Sequence, residues 1–452
     1  MKKTNFSLFT FSLLFFGCTY ESTWNDVFHA DKAHTGVYET SGYKNLGALK
    51  WKFKTGGKIF SSPVVMHGTV FLGSEDSNLY AIKTKSGELD WKFPTGGAVS
   101  SSPAIFNNTV YFTSYDGNCY AIDAGSGKQV WKFKTGGEKK IGAIGLWTMK
   151  PADMYMEDLW DFFLSSPVIG INKEGINKGP TVYFGSSDGN LYAVDALKGS
   201  LKWKFKTGGI IHTSPALYNG TIFFGSWDTY LYALDAQTGK QLWKFKTKEQ
   251  PIYHVLEGIQ ASPAVFDSIV YFGARDGFFY ALNVNTGGLI WNFAADNSWV
   301  LTTAAIKDST VYFGTSDSYV LIALNAKTGK KKYSMKANGY LYSSPAIAGQ
   351  TAYYGDFTGN LFALDLNSNG KTWQTFSTDG RKANAARILN KKGDLDFGYA
   401  GSKDDLSLYS SSVKIMNDFF TMGSIVSSPA INSNTIYFGS TDGFLYALNL
   451  TN

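Results

Sequence analysis

The residues of this 452-residue chain best able to do chemistry are few: five histidines, two cysteines, and an acidic residue that returns at regular intervals. His29, His34, His67, His212 and His254 show neither an i,i+4 pair nor an HExxH spacing, so no zinc site is expected from them. The returning acid, or its stand-in, falls at Asp76, Asp116, Asp188, Asp228, Asp276, Asp317, Thr358 and Asp442, each followed by Gly, Ser or Thr. One carboxylate per repeat around a ring does not bring several oxygens within about 2.6 Å of one calcium ion. A hairpin turn that tolerates positive φ is the expected role. Asp153, Glu157 and Asp161 are expected on a solvated helix face, not as paired catalytic acids. No GxSxG nucleophile elbow stands between a strand and a helix. No catalytic, cofactor-binding or metal residue is therefore expected. Nucleic acid is also excluded as a partner, because 42 Lys and Arg against 36 Asp and Glu include no dense basic run.

The elements that must position these residues repeat. Gly is 48, aromatics are 16% and Pro is only 11, which reads as a turn-rich, all-β chain. Blocks such as VYFGSSDGNLYAVD at 182–195 recur with a period near 40, each followed by a Gly turn and a Trp-bearing strand. Two long gaps in the register mark eight units carrying two insertions, about 138–163 and 377–423. In the fourth unit, 212–217, 221–225, 231–235 and 241–245 read as four short strands, A to D. Four strands per repeat of about 40 residues is an eight-bladed β-propeller of four-stranded antiparallel blades. The last unit stops after strand C, while an orphan segment at 49–53 precedes the first full unit. That N-terminal strand is expected to complete blade 8 and remove an exposed edge. The first insertion reads as an amphipathic helix from Pro151, and the second as helical over 404–420, with 397–402 a faint echo of a ninth blade.

The N-terminus reads as an address. Lys2 and Lys3 precede the apolar stretch Phe6 to Phe16, too short to span a bilayer, and then Gly17 and Cys18. The expectation is a lipoprotein signal over 1–17, a lipid on Cys18, a tether and lead-in over 18–47, and the propeller over 48–452. With Cys18 lipidated, Cys119 is left without a disulfide partner.

Ala233, Asp235, Thr238, Gly239 and Trp243 stand at the spacing of a tryptophan-docking motif, repeated with variations ahead of Trp91, Trp131, Trp203, Trp291 and Trp373. Trp51 belongs to the orphan strand, and Tyr333 replaces the Trp in blade 6. These Trp residues are expected to pack over the next blade's Gly turn. Together with Trp24, Phe28, Asp31, His34, Thr35 and Gly36 at the start, the motif resembles the pyrroloquinoline quinone (PQQ)-like repeat propellers. That family holds quinoprotein dehydrogenases, outer-membrane assembly lipoproteins and other non-enzymatic members. The resemblance implies an envelope lipoprotein that meets the membrane through its lipid anchor only, in the outer membrane facing the periplasm, and acts as a monomeric scaffold for a protein partner. The alternatives are a PQQ-dependent dehydrogenase using calcium, or a propeller that senses a ligand or glycan. The adjacent cysteine pair of many alcohol-oxidising members is absent. Where the repeats stop agreeing, Tyr115, Trp227, Arg275 and His212 gather at the mouth that carries both insertions. With Trp147 and Trp160 they form the expected recognition face.

Overall fold

In the computed structural model, which describes residues 27–40, 43–248, 257–398 and 405–452, eight four-stranded antiparallel sheets stand around one axis. Blade 4 shows the pattern: Ala216–Tyr218 is innermost, followed by Thr221–Gly225, Tyr230–Asp235 and, at the rim, Gln241–Lys246. The two middle strands are buried along nearly their whole length, because each face of a blade packs on a neighbour. That demand explains their unbroken apolar runs. Phe223, Ala233 and Trp243 of blade 4, for example, share a core with Val270, Phe272 and Leu282 of blade 5.

The rim tryptophans bind the blades together. Trp203 lies over Gly239 of the next blade, at φ +73°, where an added Cβ would come within 2.6 Å of the indole ring. Its Nε1 donates to the Ala236 carbonyl at 3.2 Å. Trp51, Trp91, Trp131, Trp243 and Trp291 donate in the same way to Thr84, Ala124, Ala196, Val284 and Ala326 at 2.8–3.0 Å. Around the axis runs a second belt. The backbone N–H of Ser62 donates to Ser102 Oγ, and the pattern continues through Ser166, Ser214 and Ser262. It resumes from Thr303 to Ser344, Ser428 and back to Ser62, all at 2.9–3.0 Å.

Closure is as expected: Asn45–Lys54 pairs antiparallel with Phe444–Thr451, Trp51 opposite Ala447 and Phe53 opposite Leu445. The preceding lead-in crosses the lower end of the channel. Carbonyls of Lys32, Ala33, Thr35 and Gly36 accept from Leu217, Val265, Ile306 and Ile347, one inner strand after another. His34 Nδ1 lies 3.0 Å from the Pro263 carbonyl, and burial, helped by His29 beside it, pushes its pKa down to about 3. Val37–Tyr38 adds a parallel strand to blade 7.

Several expectations need correction. Trp373 does not dock: it is 46% exposed, and Gln374 takes its place opposite Ala363. Blade 8 takes its outer strand from the N-terminal chain, so no C–D hairpin exists there for a blade 7 Trp to cover. In blade 7 the buried turn acid is Asp356, which accepts from Thr358, not Thr358 itself. No helix starts at Pro151. Gly142–Ile144 pairs instead with Tyr155–Glu157 as a hairpin, because Met156 packs on Leu146 and Met149 while Phe162 turns toward the axis. Asp161 is fully buried, not solvated. The second insertion holds two helices, α1 (Asp379–Ile388) and α2 (Tyr409–Phe420). α2 buries Ser411, Ile415, Met416, Phe419 and Phe420 on one face. α1 was legible in Thr378, whose side chain caps Arg381 N, ahead of a run of helix formers. Phe397 and Gly398 lie in a turn, residues 399–402 are outside the described residues, and no ninth blade stands among those described.

Trp243→Ala is expected to cost about 3–5 kcal/mol in urea denaturation, as for a buried large side chain. Trp373→Ala is expected to stay within about 0.5 kcal/mol, as at an ordinary surface position.

Candidate functional site

Both insertions leave from connections between a rim strand and the next inner strand, so they rise on one face. They do not stand apart around the mouth. Lys150 N donates to Ser407 O at 2.5 Å, Tyr409 N returns a bond to Lys150 O at 3.0 Å, and the Tyr409 hydroxyl donates to Glu157 O at 3.0 Å. The two segments form one roof. Its underside is aromatic: Phe162 stacks on Phe60 at 5.2 Å between ring centroids, Phe420 meets both edge-on, and Trp160 meets Tyr340 at 4.8 Å. Below it, between Phe163 and Leu164 above and Phe28 of the lead-in beneath, the axial cavity has a volume of about 30 Å³. That is about the share of liquid volume held by one water molecule.

The expected recognition ring lies under this roof. Arg275 is 1% exposed and stacked between Trp227 and Trp299, its guanidinium carbon 4.5 and 4.3 Å from their centroids. Its Nη1 lies 2.5 Å from Asp158 Oδ2 as a contact ion pair, outside hydrogen-bond alignment, and its Nε and Nη2 donate to Gln260 Oε1 at 3.0 and 2.6 Å. Burial lifts the Asp158 carboxyl above the usual carboxylate range in spite of Arg275. Trp227 is buried with its Nε1 unpartnered. Tyr115 and Trp160 are half-buried, as is Trp147, which lies 6.1 Å from Trp299. Arg275 and His212 therefore hold the first insertion down through Asp158 and Asp161, and Trp227 is buried beside Arg275, so these three are not free to meet a partner. Asp158, Glu138 and Trp299 were not singled out by spacing, and Asp161 was read as solvated, since their partners lie in distant repeats.

His212 sits in the one arrangement that looks catalytic. Its Nδ1 is 2.8 Å from Asp161 Oδ1, and its Nε2 is 2.8 Å from Ser187 Oγ. Order alone does not make a triad. Burial works to lower the His212 pKa, but Asp161 and Glu138 more than offset it, so the value is raised above 6.5. With the ring protonated, both nitrogens donate, and Ser187 Oγ then turns its proton toward Glu138 Oε2 (2.7 Å) or the Lys139 carbonyl (2.9 Å). A general base needs the opposite polarity, with a neutral ring accepting from the serine. Asp161, His212 and Ser187 are also buried, with Glu138 half-buried at the edge, so the arrangement acts as a clamp.

The turn acids are structural as well. Asp228 Oδ2 accepts from Gly208 N at 2.8 Å and from the Tyr232 hydroxyl at 2.7 Å, which ties this turn to the preceding connection, as Asp76, Asp116 and Asp188 do in their blades, whereas Asp317 accepts from its neighbour Ser316. Among the described residues no three His, Cys, Asp or Glu side chains converge as a metal cage. His29 and His34 are buried in the lead-in and His67 is exposed in a turn, while His254 and Cys18 lie outside the described residues.

A closed ring of eight such blades, six of them docked on the next through a rim Trp, defines a PQQ-like repeat propeller. The chain belongs to the family described as outer membrane protein assembly factor BamB, which matches residues 41–145, 145–259 and 228–395. In fold it is similar to BamB from Moraxella catarrhalis, with a TM-score of 0.64 at 15% identity, covering 90% of this chain and 100% of that one. It is equally similar to a europium-containing methanol dehydrogenase (TM-score 0.65, 15% identity, 94% and 98% covered). Quinohemoprotein alcohol dehydrogenase from Comamonas testosteroni gives 0.65 at 14% identity, covering 94% and 80%. No curated protein sequence matches significantly. At these identities the likeness shows the fold alone, which binding proteins and dehydrogenases share.

The stability contributed by protonated His212 should be fully present below pH 6.5 and lost as pH rises through its raised folded-state value. The difference in unfolding free energy between the parent and His212→Gln is therefore expected to shrink toward alkaline pH in parallel denaturation series.

Proposed function

We propose that this protein is a non-catalytic scaffold of the cell envelope, held to a membrane by lipid on Cys18, whose insertion roof docks a protein partner in outer-membrane assembly. The observation that carries this reading is the filled mouth. A PQQ and calcium pair would have to lie over the channel, and there Trp160, Phe162, Phe357 and Phe420 pack against one another. The residues present do not fit such a cofactor. The charged groups nearest the mouth, Arg275 and Asp158, are already paired with each other as a contact ion pair beneath the hairpin.

The roof's outer surface has a different character. Ile144 and Tyr155 face each other across the hairpin and are 68% and 52% exposed. Met154, Leu406 and Leu408 are also exposed, and Leu408 pairs with Lys150 where the insertions join. Apolar side chains gathered on a projecting crest favour a protein partner, because a monomer gains nothing from exposing them together. Family membership supports an assembly role over ligand or glycan sensing.

A photo-crosslinker at Tyr155 is expected to capture a membrane-embedded assembly component, while the same probe at Trp373 on the rim captures none. Ile144→Asp with Leu408→Asp should reduce that capture by at least about tenfold without lowering the melting temperature. Cys18→Ala should move the chain from the membrane to the soluble fraction. Quinone absorbance and dye reduction after adding PQQ and calcium would overturn the non-catalytic reading.

A further inference from the structure

The eight rim strands concentrate charge of one sign. They carry 14 lysines and one acid, Asp90. The rest of the chain therefore holds 28 of the 42 basic residues and 35 of the 36 acidic ones, an acidic body inside a basic rim. The lysines are also unevenly placed. The residue after the rim Trp is an exposed Lys in five consecutive blades, 8, 1, 2, 3 and 4: Lys52, Lys92, Lys132, Lys204 and Lys244. Blades 5, 6 and 7 have Asn292, Ser334 and Gln374 or Thr375 there. Just before the Trp, toward the lead-in face, the same five strands expose an aliphatic residue, Leu49, Leu89, Val130, Leu201 and Leu242, as blade 5 does with Leu289 and Ile290, so the lysines alone set the five apart.

Lysines on edge strands discourage sheet-to-sheet association. That role does not explain this distribution, because the rim strands of blades 5 and 7 carry no charge at all and are equally edges. A second feature lies in the same sector. Val27 packs between blades 2 and 3, against Ala104, Tyr111 and Ile169, so the chain toward Cys18 departs beneath the middle of the basic arc. Val27 lies nine residues after Cys18, a reach of at most about 30 Å. An anchored chain thus holds the bilayer near blades 2 and 3.

We propose that the basic and aliphatic rim centred on blades 1 to 3 rests on an anionic lipid bilayer. The lysines meet headgroup phosphates, and the aliphatic side chains enter the headgroup boundary. The lipid anchor then fixes distance and the rim fixes orientation, leaving the roof free for its partner. The proposal rests on the lipoprotein reading only for the tether's position; the rim itself is tested without any lipid.

The soluble Cys18→Ala chain should co-sediment with phosphatidylglycerol-containing vesicles, release with salt, and ignore pure phosphatidylcholine vesicles. Lys92→Gln, Lys132→Gln and Lys204→Gln combined should weaken binding by on the order of a hundredfold, about fivefold for each lysine. Lys331→Gln, Lys332→Gln and Lys336→Gln on blade 6 remove the same charge and should change it by less than about threefold, being screened from the contact. Circular dichroism and melting temperature report whether either variant is misfolded, and the salt dependence of the parent needs neither. Absence of anionic-vesicle binding, equal binding to both vesicles, or equal loss in both triple variants overturns the proposal. Each result leaves the Cys18 anchor untouched, which fractionation tests alone.

Discussion

Closing the ring with a strand from the other end of the chain is the constraint on which everything else depends. Eight sheets around an axis leave one seam, and the pairing of Asn45–Lys54 with Phe444–Thr451 seals it from the outside. The chain before that strand must then travel between rim and axis, which lays residues 27–40 across the channel floor. The same choice leaves blade 8 without a C–D hairpin and Trp373 without a glycine to cover. Plugged floor and exposed Trp are two results of one topological decision.

What was legible in the sequence follows from whether a contact repeats. Blade boundaries, the Trp docking of Trp203 or Trp243, and the closing strand recur with a fixed offset, so spacing discloses them. The serine belt was equally written in the Ser-Pro pairs ahead of most inner strands, although nothing in a single repeat shows that Ser102 must receive the N–H of Ser62. The insertions occur once each and have no internal period to consult. Asp161 read as polar and therefore solvated, yet it and Asp158 are buried because His212 and Arg275, each more than fifty residues further along, supply their partners. The recognition ring was misjudged for the same reason: variable positions at the mouth were open only until the roof was placed over them.

The roof also explains how one scaffold serves dissimilar tasks. Every blade can be kept intact while the mouth is either left open over polar groups or filled with Phe162, Phe357 and Phe420. Likeness of fold to dehydrogenases therefore reports on the blades and not on the mouth. Here the roof changes the inner surface from a place where a small molecule could lie into a packed core, while giving the outer surface its exposed Ile144 and Tyr155.

The seam has a further consequence in time. The closing partners lie at opposite ends of the chain, so residues 45–54 leave the ribosome long before 444–451 exist to receive them. Until then the early blades have a docking surface on one side only, and the lead-in has no complete floor to lie on. Contacts so distant in sequence make a slow last step. The incomplete propeller must be shielded through that interval, and the final eight residues commit the whole ring at once.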